Sequence, residues 1–210
     1  RTRRKNCRRV AVMAHELDEL RHKLDELESE FEEKLQERQK DFRYQVRNNR
    51  VVFEKAMVRE HRKLKEGLIS FLRRTHWSVL IIAPLTYAMA VPLVLLDLFV
   101  TVYQAGCFPI LGIRKVRRSQ YIRLDRGKLA YLNGLQKFNC LYCGYANGLI
   151  AYTREIAGRT EQYWCPIKHA LRVKAPHPHY KKFLDYGDAE GFRHRLQDLR
   201  EDLKDSEKAA

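Results

Sequence analysis

The stretch from Trp77 to Ile113 constrains the fold more than any other part of the chain, because Asp97 is its one formally charged residue. A helix needs about 20 consecutive apolar residues to cross the hydrocarbon core of a bilayer. The stretch is longer than one crossing requires and slightly short of two comfortable crossings. The sequence therefore predicts a membrane segment over residues 77–113.

Two topologies fit this segment. Pro84 and Pro92 interrupt the helical hydrogen-bond ladder, and Pro109 with Gly106 and Gly112 marks the end of the segment. One topology is a single kinked helix, and the other is a helical hairpin that turns near Pro92. Cytoplasmic flanks of membrane segments carry an excess of Lys and Arg, and both flanks are basic here. That symmetry favours the hairpin, with the main domains on the cytoplasmic face of a bacterial inner membrane.

The formal net charge of +15 favours anionic partners. Basic residues crowded against a membrane segment usually meet acidic lipid head groups, so lipid is favoured and nucleic acid is an unlikely partner. The basic residues expected to face lipid are Arg73, Arg74, Arg114, Lys115, Arg117 and Arg118. Asp97 would be costly against lipid, so we expect it to face another helix, a polar cavity or the bilayer surface. Structural accommodation is favoured over a proton relay.

Residues 1–76 predict one long helix, since Gly67 is the single Gly and no Pro occurs from about Val10 to Arg74. Its apolar residues recur every eleven positions, a period typical of nearly straight helical bundles. The resulting seam comprises Phe31, Leu35, Phe42, Val46, Phe53, Met57, Leu64 and Leu68. A lone helix cannot bury such a seam, so self-association or a partner helix is favoured over folding back onto the C-terminal part.

The most chemically specific pattern is C-x2-C-x21-C-x3-H, formed by Cys140, Cys143, Cys165 and His169. This spacing predicts a tetrahedral Cys3His site, for which zinc is the preferred metal. Ordinary residues without metal, or a thioredoxin-type redox pair, are less favoured alternatives. The site would lie in a small α+β module over residues 114–184, with a short strand or strand pair between Gln120 and Leu132. An amphipathic charged helix is expected over residues 185–210.

At F-N-C-L-Y-C-G-Y and Y-W-C-P-I-K-H the sequence resembles the metal knuckles of rubredoxins and zinc ribbons. The resemblance implies Cys140, Cys143 and Cys165 as ligands. Lys168 stands where the fourth rubredoxin cysteine would be, so the fourth ligand moves to His169, which favours structural zinc over electron-transferring iron. Over most of its length the chain also resembles a group of bacterial membrane-associated coiled-coil proteins. That likeness implies no particular activity.

The expected fold class is therefore mainly α, with a long coiled-coil helix, a central membrane hairpin or single kinked helix, and a C-terminal zinc-ribbon-like α+β module. The expected function is a membrane-anchored scaffold that oligomerises or recruits a partner. A membrane-bound rubredoxin-like electron carrier and an anionic-lipid or nucleic-acid binding protein are the alternatives. The sequence contains no nucleophile elbow, phosphate-binding loop or dinucleotide fingerprint, so the case for an enzyme is weak.

Overall fold

Two units make up the chain, residues 1–65 and residues 66–210. The computed structural model describes residues 19, 22–24, 26–35, 37–38, 44–47, 50–53 and 55–205. Most of the described residues are helical.

The N-terminal unit contains helical residues at 22–24, 26–35 and 37–38, followed by strands β1 (Tyr44–Arg47) and β2 (Arg50–Phe53) and helix α1 (Lys55–Lys63). The strands pair antiparallel, with Tyr44 opposite Phe53. Their Tyr, Val and Phe residues have high β propensity. The single long helix predicted for this region is therefore wrong, because a β-hairpin interrupts it.

The second unit is entirely helical in its regular elements. In chain order these are α2 (Leu68–Arg74), α3 (Trp77–Ala88), α4 (Ala90–Leu111), α5 (Arg118–Tyr121), α6 (Gly134–Trp164) and α7 (Ala189–Asp205), with 3-10 turns at Asp125–Lys128 and Pro178–Lys182.

Helices α3 and α4 form one continuous apolar helix of 35 residues, Trp77–Leu111, with a mean hydropathy of 2.4 in its most apolar window. None of that window is buried inside the protein, and this is the one helix long and apolar enough to cross a membrane among the described residues. The predicted reversal near Pro92 is wrong. Met89 keeps a right-handed helical backbone, and the Leu93 amide donates to the Met89 carbonyl at 3.3 Å. A local turn at Met89 separates α3 from α4 without reversing the chain, so Pro92 lies in the first turn of α4, where its missing N–H is tolerated.

The helix ends where the sequence predicts. Gly112 adopts a left-handed conformation with φ 68°, which Gly accommodates without steric cost. The Ile113 amide then donates back to the Phe108 carbonyl at 2.8 Å. The chain reverses here into residues 113–133, which we call the return segment.

The return segment runs back along α4 and delivers the chain to α6, so α4 and α6 lie side by side and point the same way. In the return segment, Val116 contacts Gln104 of α4. Arg118, two residues later, contacts Asp97, which lies about two turns nearer the N-terminus of α4. Along α6, Tyr142 contacts Thr86, Tyr145 contacts Asp97 and Tyr152 contacts Gln104, in increasing order on both helices.

Helix α6 shows that the predicted C-terminal α+β module is wrong. Its 31 residues begin at a capping box, in which Asn133 accepts from the Gln136 amide and Gln136 accepts from the Asn133 amide, both at 2.9 Å. The helix then runs without interruption through Cys140 and Cys143 to Trp164. In the part of the second unit that the structure describes, β structure is confined to one isolated bridge between Ile167 and Leu184.

The core lies where α4, the return segment, α6 and α7 meet. Its fully packed side chains are Phe108, Ile113, Val116, Leu149, Tyr152, Ile156 and Leu203. Gln104 is also buried, and its side chain holds the return segment by accepting from the Val116 amide at 2.6 Å and donating to the Tyr152 hydroxyl at 2.8 Å. The amphipathic C-terminal helix predicted from the sequence is confirmed as α7, which packs through Leu199 and Leu203.

Candidate functional site

The four predicted metal ligands lie at separate places in the fold. Cys140 and Cys143 are in the first third of α6, whereas Cys165 follows its last residue. A helix rises about 1.5 Å per residue, so roughly 33 Å of helix separates Cys143 from Cys165. Zinc requires its ligand atoms within about 2.0–2.3 Å of the ion. No three His, Cys, Asp or Glu side chains in the described ranges form a group that could hold a metal.

The backbone around Cys143 also differs from that of a rubredoxin-like knuckle. The Gly that follows Cys143 was expected to orient backbone amides toward sulfur, but Gly144 lies inside α6, against the return segment. A Cβ atom added to Gly144 would lie 3.1 Å from the Arg123 carbonyl oxygen, and one added to Gly148 would lie 2.7 Å from the Tyr121 carbonyl oxygen. These glycines allow two backbones to approach closely. Zinc binding by this chain stays a prediction without an assembled site.

Cys165 and His169 lie at the surface. The backbone amide of His169 donates a hydrogen bond to the Tyr180 hydroxyl at 2.7 Å. The His169 imidazole stacks on the Tyr180 ring, with the ring centroids 6.2 Å apart. All four cysteines in the described residues are free thiols, and Cys143 and Cys165 are exposed.

Asp97 faces protein groups, as expected from its cost against lipid. Arg118 donates to its carboxylate through Nη2 at 2.6 Å and Nε at 3.3 Å, and the Tyr145 hydroxyl donates at 2.9 Å. Burial and then the Asp97 carboxylate raise the pKa of Tyr145, so its hydroxyl stays protonated and remains a donor. The membrane helix thus carries its one charge on the side covered by α6 and the return segment.

The basic residues predicted to face lipid have more varied surroundings. Arg118 pairs with Asp97, Arg74 pairs with Glu66 at 2.9 Å, and the Arg114 carbonyl accepts from Arg159 at 2.8 Å. Arg73, Lys115 and Arg117 are exposed. All of them remain close in sequence to one end of the membrane helix.

No protein-family model, curated protein or solved structure matches this chain. Its function has to be inferred from the physical properties of its own surfaces.

A buried charged cluster joins α6 to the loop that follows it, and sequence analysis missed it. Glu155 accepts from Arg159 at 2.8 Å and lies 2.9 Å from the Nε2 atom of His179. Burial alone would raise the pKa of Glu155, but the hydrogen bonds from His179 and Arg159 outweigh it and lower the pKa to about 2. Six residues further along the helix, Glu161 pairs in the same way with His177 at 2.9 Å.

The fit of the loop depends on Gly158, since a Cβ atom there would lie 2.7 Å from Nδ1 of His177. The P-H-P-H sequence, which places two imidazoles two residues apart at the start of a 3-10 turn, was the available signal. Each imidazole has a carboxylate partner, and the described surroundings contain no nucleophile positioned beside them. The cluster therefore joins the loop of residues 165–184 to α6.

The predicted apolar seam is divided by the β-hairpin. Phe31 and Leu35 lie exposed on helical residues of the N-terminal unit, Val46 lies in β1 and Phe53 in β2, and Phe42 lies outside the described residues. Met57 is half-buried on α1, and Leu64 and Leu68 are exposed. The eleven-residue seam is therefore not one continuous helical stripe. Before that seam, Leu24 and Leu27 are spaced three and four residues from each other and from Phe31, and the three side chains share one exposed helix face.

Proposed function

We propose that this chain is a membrane-anchored interaction protein, held by one crossing of the helix Trp77–Leu111 and binding a partner chain through its N-terminal helical residues. The observation that supports it is a long apolar helix in which no residue of the most apolar window is buried by the protein. Core helices of soluble proteins are buried on most sides, whereas none of the most apolar window of this helix is buried, and Ile82, Leu85 and Val94 on it are more than half exposed.

The crossing is best placed at residues 77–96, with the first turns of α6 packed against its second half, where Tyr142 contacts Thr86. This run has no charged residue, and about 20 residues match the thickness of the hydrocarbon core. Trp77 at one end suits the interface, where Trp and Tyr are enriched. At the other end, Asp97 and its partner Arg118 would lie at the head-group boundary, together with the exposed Lys115 and Arg117.

We place the C-terminal part of the chain, from Arg114 onward, on the cytoplasmic side of the membrane. Its described cysteines are unpaired and two are exposed, as is usual in a reducing compartment. With a single crossing, the chain that precedes Trp77 would enter the membrane from the opposite side.

The anchor is tested by extracting membranes at alkaline pH and comparing three forms of the protein. The unsubstituted chain should stay in the pellet, whereas Ile82→Lys combined with Leu85→Lys should release it, because each Lys in mid-span costs about 2.5–3.5 kcal/mol. The matched control is Leu124→Lys with Tyr186→Lys, two exposed apolar side chains outside the span. The control should stay in the pellet. Release of the unsubstituted chain would overturn the proposal.

Topology is tested by labelling intact cells with a membrane-impermeant maleimide and locating modified cysteines by peptide mass spectrometry. Cys143 and Cys165 should react only after the membrane is broken, and Cys7 should react in intact cells. Protection of Cys7 together with Cys143 would contradict the single crossing, and labelling of Cys143 in intact cells would reverse the orientation.

A further inference from the structure

The loop between α6 and the second 3-10 turn encloses a concave surface that the proposed anchor does not use. Residues 168–176 together with Tyr180 line a cavity of about 1070 Å³. None of the lining residues is acidic, and Lys168, Arg172 and Lys174 are basic. Leu171 at the tip is 83% exposed.

Two of the three cations in this loop have no protein counter-charge. Lys168 pairs with Asp185 at 2.8 Å, but no carboxylate in the described part of the chain forms an ion pair with Arg172 or Lys174. A cavity with unpaired cations around an exposed Leu combines electrostatic attraction for an anion with apolar surface. Acidic phospholipids satisfy both requirements, because each presents a phosphate above an acyl layer.

The loop is held in place at both ends. Ala175 adopts φ 50°, a left-handed conformation that is uncommon for a residue other than Gly. Arg154 of α6 secures it by donating to the carbonyl oxygens of Ala175 and Pro176. At the other end, Tyr180 holds the His169 amide at 2.7 Å. The cations are therefore presented on a supported loop whose ends cannot retract.

The position of the loop along α6 brings it near the proposed membrane surface. Tyr145 contacts Asp97 at the head-group boundary, and Arg154 follows nine residues later on the same helix. At 1.5 Å per residue this is about 13 Å along the axis, and the head-group layer occupies about 5–7 Å of that distance. Leu171 and Arg172 lie four and three residues before Ala175, which Arg154 holds, and an extended stretch of that length can span the remaining distance.

We propose that residues 168–176 form a second membrane contact, in which Arg172 and Lys174 bind the phosphates of acidic phospholipids and Leu171 enters the acyl boundary. The contact rests on the proposed anchor, which keeps the loop beside the bilayer. It would fix how the C-terminal domain is oriented over the membrane surface.

The test uses the full chain in lipid nanodiscs, made either of phosphatidylcholine alone or of a 7:3 mixture with phosphatidylglycerol. Trypsin cleaves after Arg172 and Lys174, so docking of the loop should protect both sites. Each cation near an acidic surface contributes about fivefold to association, and we expect cleavage to slow on the order of tenfold in the mixed discs. Cleavage after Lys181, which is exposed and outside the cavity, is the internal reference.

Two variants keep both tryptic sites. Leu171→Asp should abolish the difference between the two lipid compositions, because it removes the apolar contact and adds repulsion. Tyr186→Asp, which changes a 71% exposed residue elsewhere, should retain that difference. Each variant is compared with itself across the two disc types, so effects of sequence on trypsin cancel.

Equal cleavage in both disc types, or persistent protection in Leu171→Asp, would overturn the lipid contact. Protection in phosphatidylcholine discs upon addition of inorganic phosphate would also overturn it, and would assign the cavity to a soluble phosphate compound. Failure of the chain to enter discs at all would instead contradict the anchor, so the two proposals fail separately.

Discussion

At the scale of single residues, Glu155 shows how two partners can outweigh the cost of burying a carboxylate. Its pKa is lowered from 4.5 to about 2 in the folded chain. The carboxylate therefore contributes stability that is fully present above pH 4.5 and is lost as the pH falls toward 2. The contribution is worth about 3 kcal/mol, since each pKa unit corresponds to about 1.4 kcal/mol. We expect the free energy of unfolding to fall by about that amount across this range.

The measurement is denaturant unfolding of the detergent-solubilised chain at a series of pH values from 6 to 2.5. Glu155→Gln should flatten the acid part of the profile, whereas Asp198→Asn, at an exposed position on α7, should leave it as it is. An acid profile of Glu155→Gln that superimposes on that of the unsubstituted chain would show that Glu155 has no such role.

A second prediction concerns Gly148, where the substitution adds a side-chain atom to a closely packed backbone. Ala is favoured over Gly within a helix by about 1 kcal/mol, but a Cβ atom at Gly148 would lie 2.7 Å from a backbone oxygen and 2.8 Å from the Ile122 Cα. Backbone atoms cannot move aside cheaply, and overpacking usually costs about 1–3 kcal/mol. Gly148→Ala should therefore lower the unfolding midpoint. Gly134→Ala, where the new Cβ meets nothing within 4 Å, should leave it nearly unchanged.

At the scale of elements, the sequence predicted the long apolar helix well and α6 poorly. Composition alone locates Trp77 and the Gly112 stop, because hydropathy and a left-handed Gly act locally. The Cys spacing in α6 was interpreted as a knuckle, although the Asn133–Gln136 capping box and the lack of Pro up to Trp164 indicate a helix. Metal-ligand spacing identifies a site only when the backbone turns between the ligands.

The Asp97–Arg118 ion pair contributes to the contact between α4 and the return segment. The two residues are 21 positions apart, so this pairing could not be predicted from the sequence. Arg118 remains 48% exposed, so we expect a coupling energy of about 1 kcal/mol from a double-mutant cycle with Asp97→Asn and Arg118→Gln. The measurement is thermal unfolding in detergent, followed by circular dichroism.

The control cycle is Lys182→Gln with Asp202→Asn, a surface pair at 3.4 Å in which both side chains are about half exposed. Its coupling should be smaller, because water and salt screen both charges. Equal coupling in the two cycles would mean that Tyr145 and the protein around Asp97 give the ion pair no added strength.

At the scale of the whole molecule, the sequence correctly indicated a helix long and apolar enough to cross a membrane, but it overextended the N-terminal helix. The eleven-residue recurrence of apolar residues passes through β1 and β2. Within each strand, the apolar residues that share one face are two positions apart. Periodicity does not distinguish helix from strand over so few residues. What survives is a shorter helical face at residues 22–38, which carries apolar side chains and no covering element among the residues described in its unit.

That face is the surface through which we expect the chain to bind a second helix. Leu24, Leu27, Phe31 and Leu35 are between 44% and 63% exposed and lie three to four residues apart, as in a coiled-coil seam. Replacing Leu27 and Phe31 by Ser should weaken association at least tenfold, since each buried side chain of this size contributes about 1.5–3 kcal/mol.

The measurement is multi-angle light scattering of the purified chain in detergent across a concentration series. Glu26→Ser with Glu33→Ser is the matched control, because it makes the same replacements on the polar face of the same helix and should keep the oligomer. An unsubstituted chain that is monomeric at every concentration would exclude self-association. The seam would then require a different protein as its partner, and the Leu27→Ser, Phe31→Ser variant should lose that partner in cross-linked membranes while the control variant keeps it.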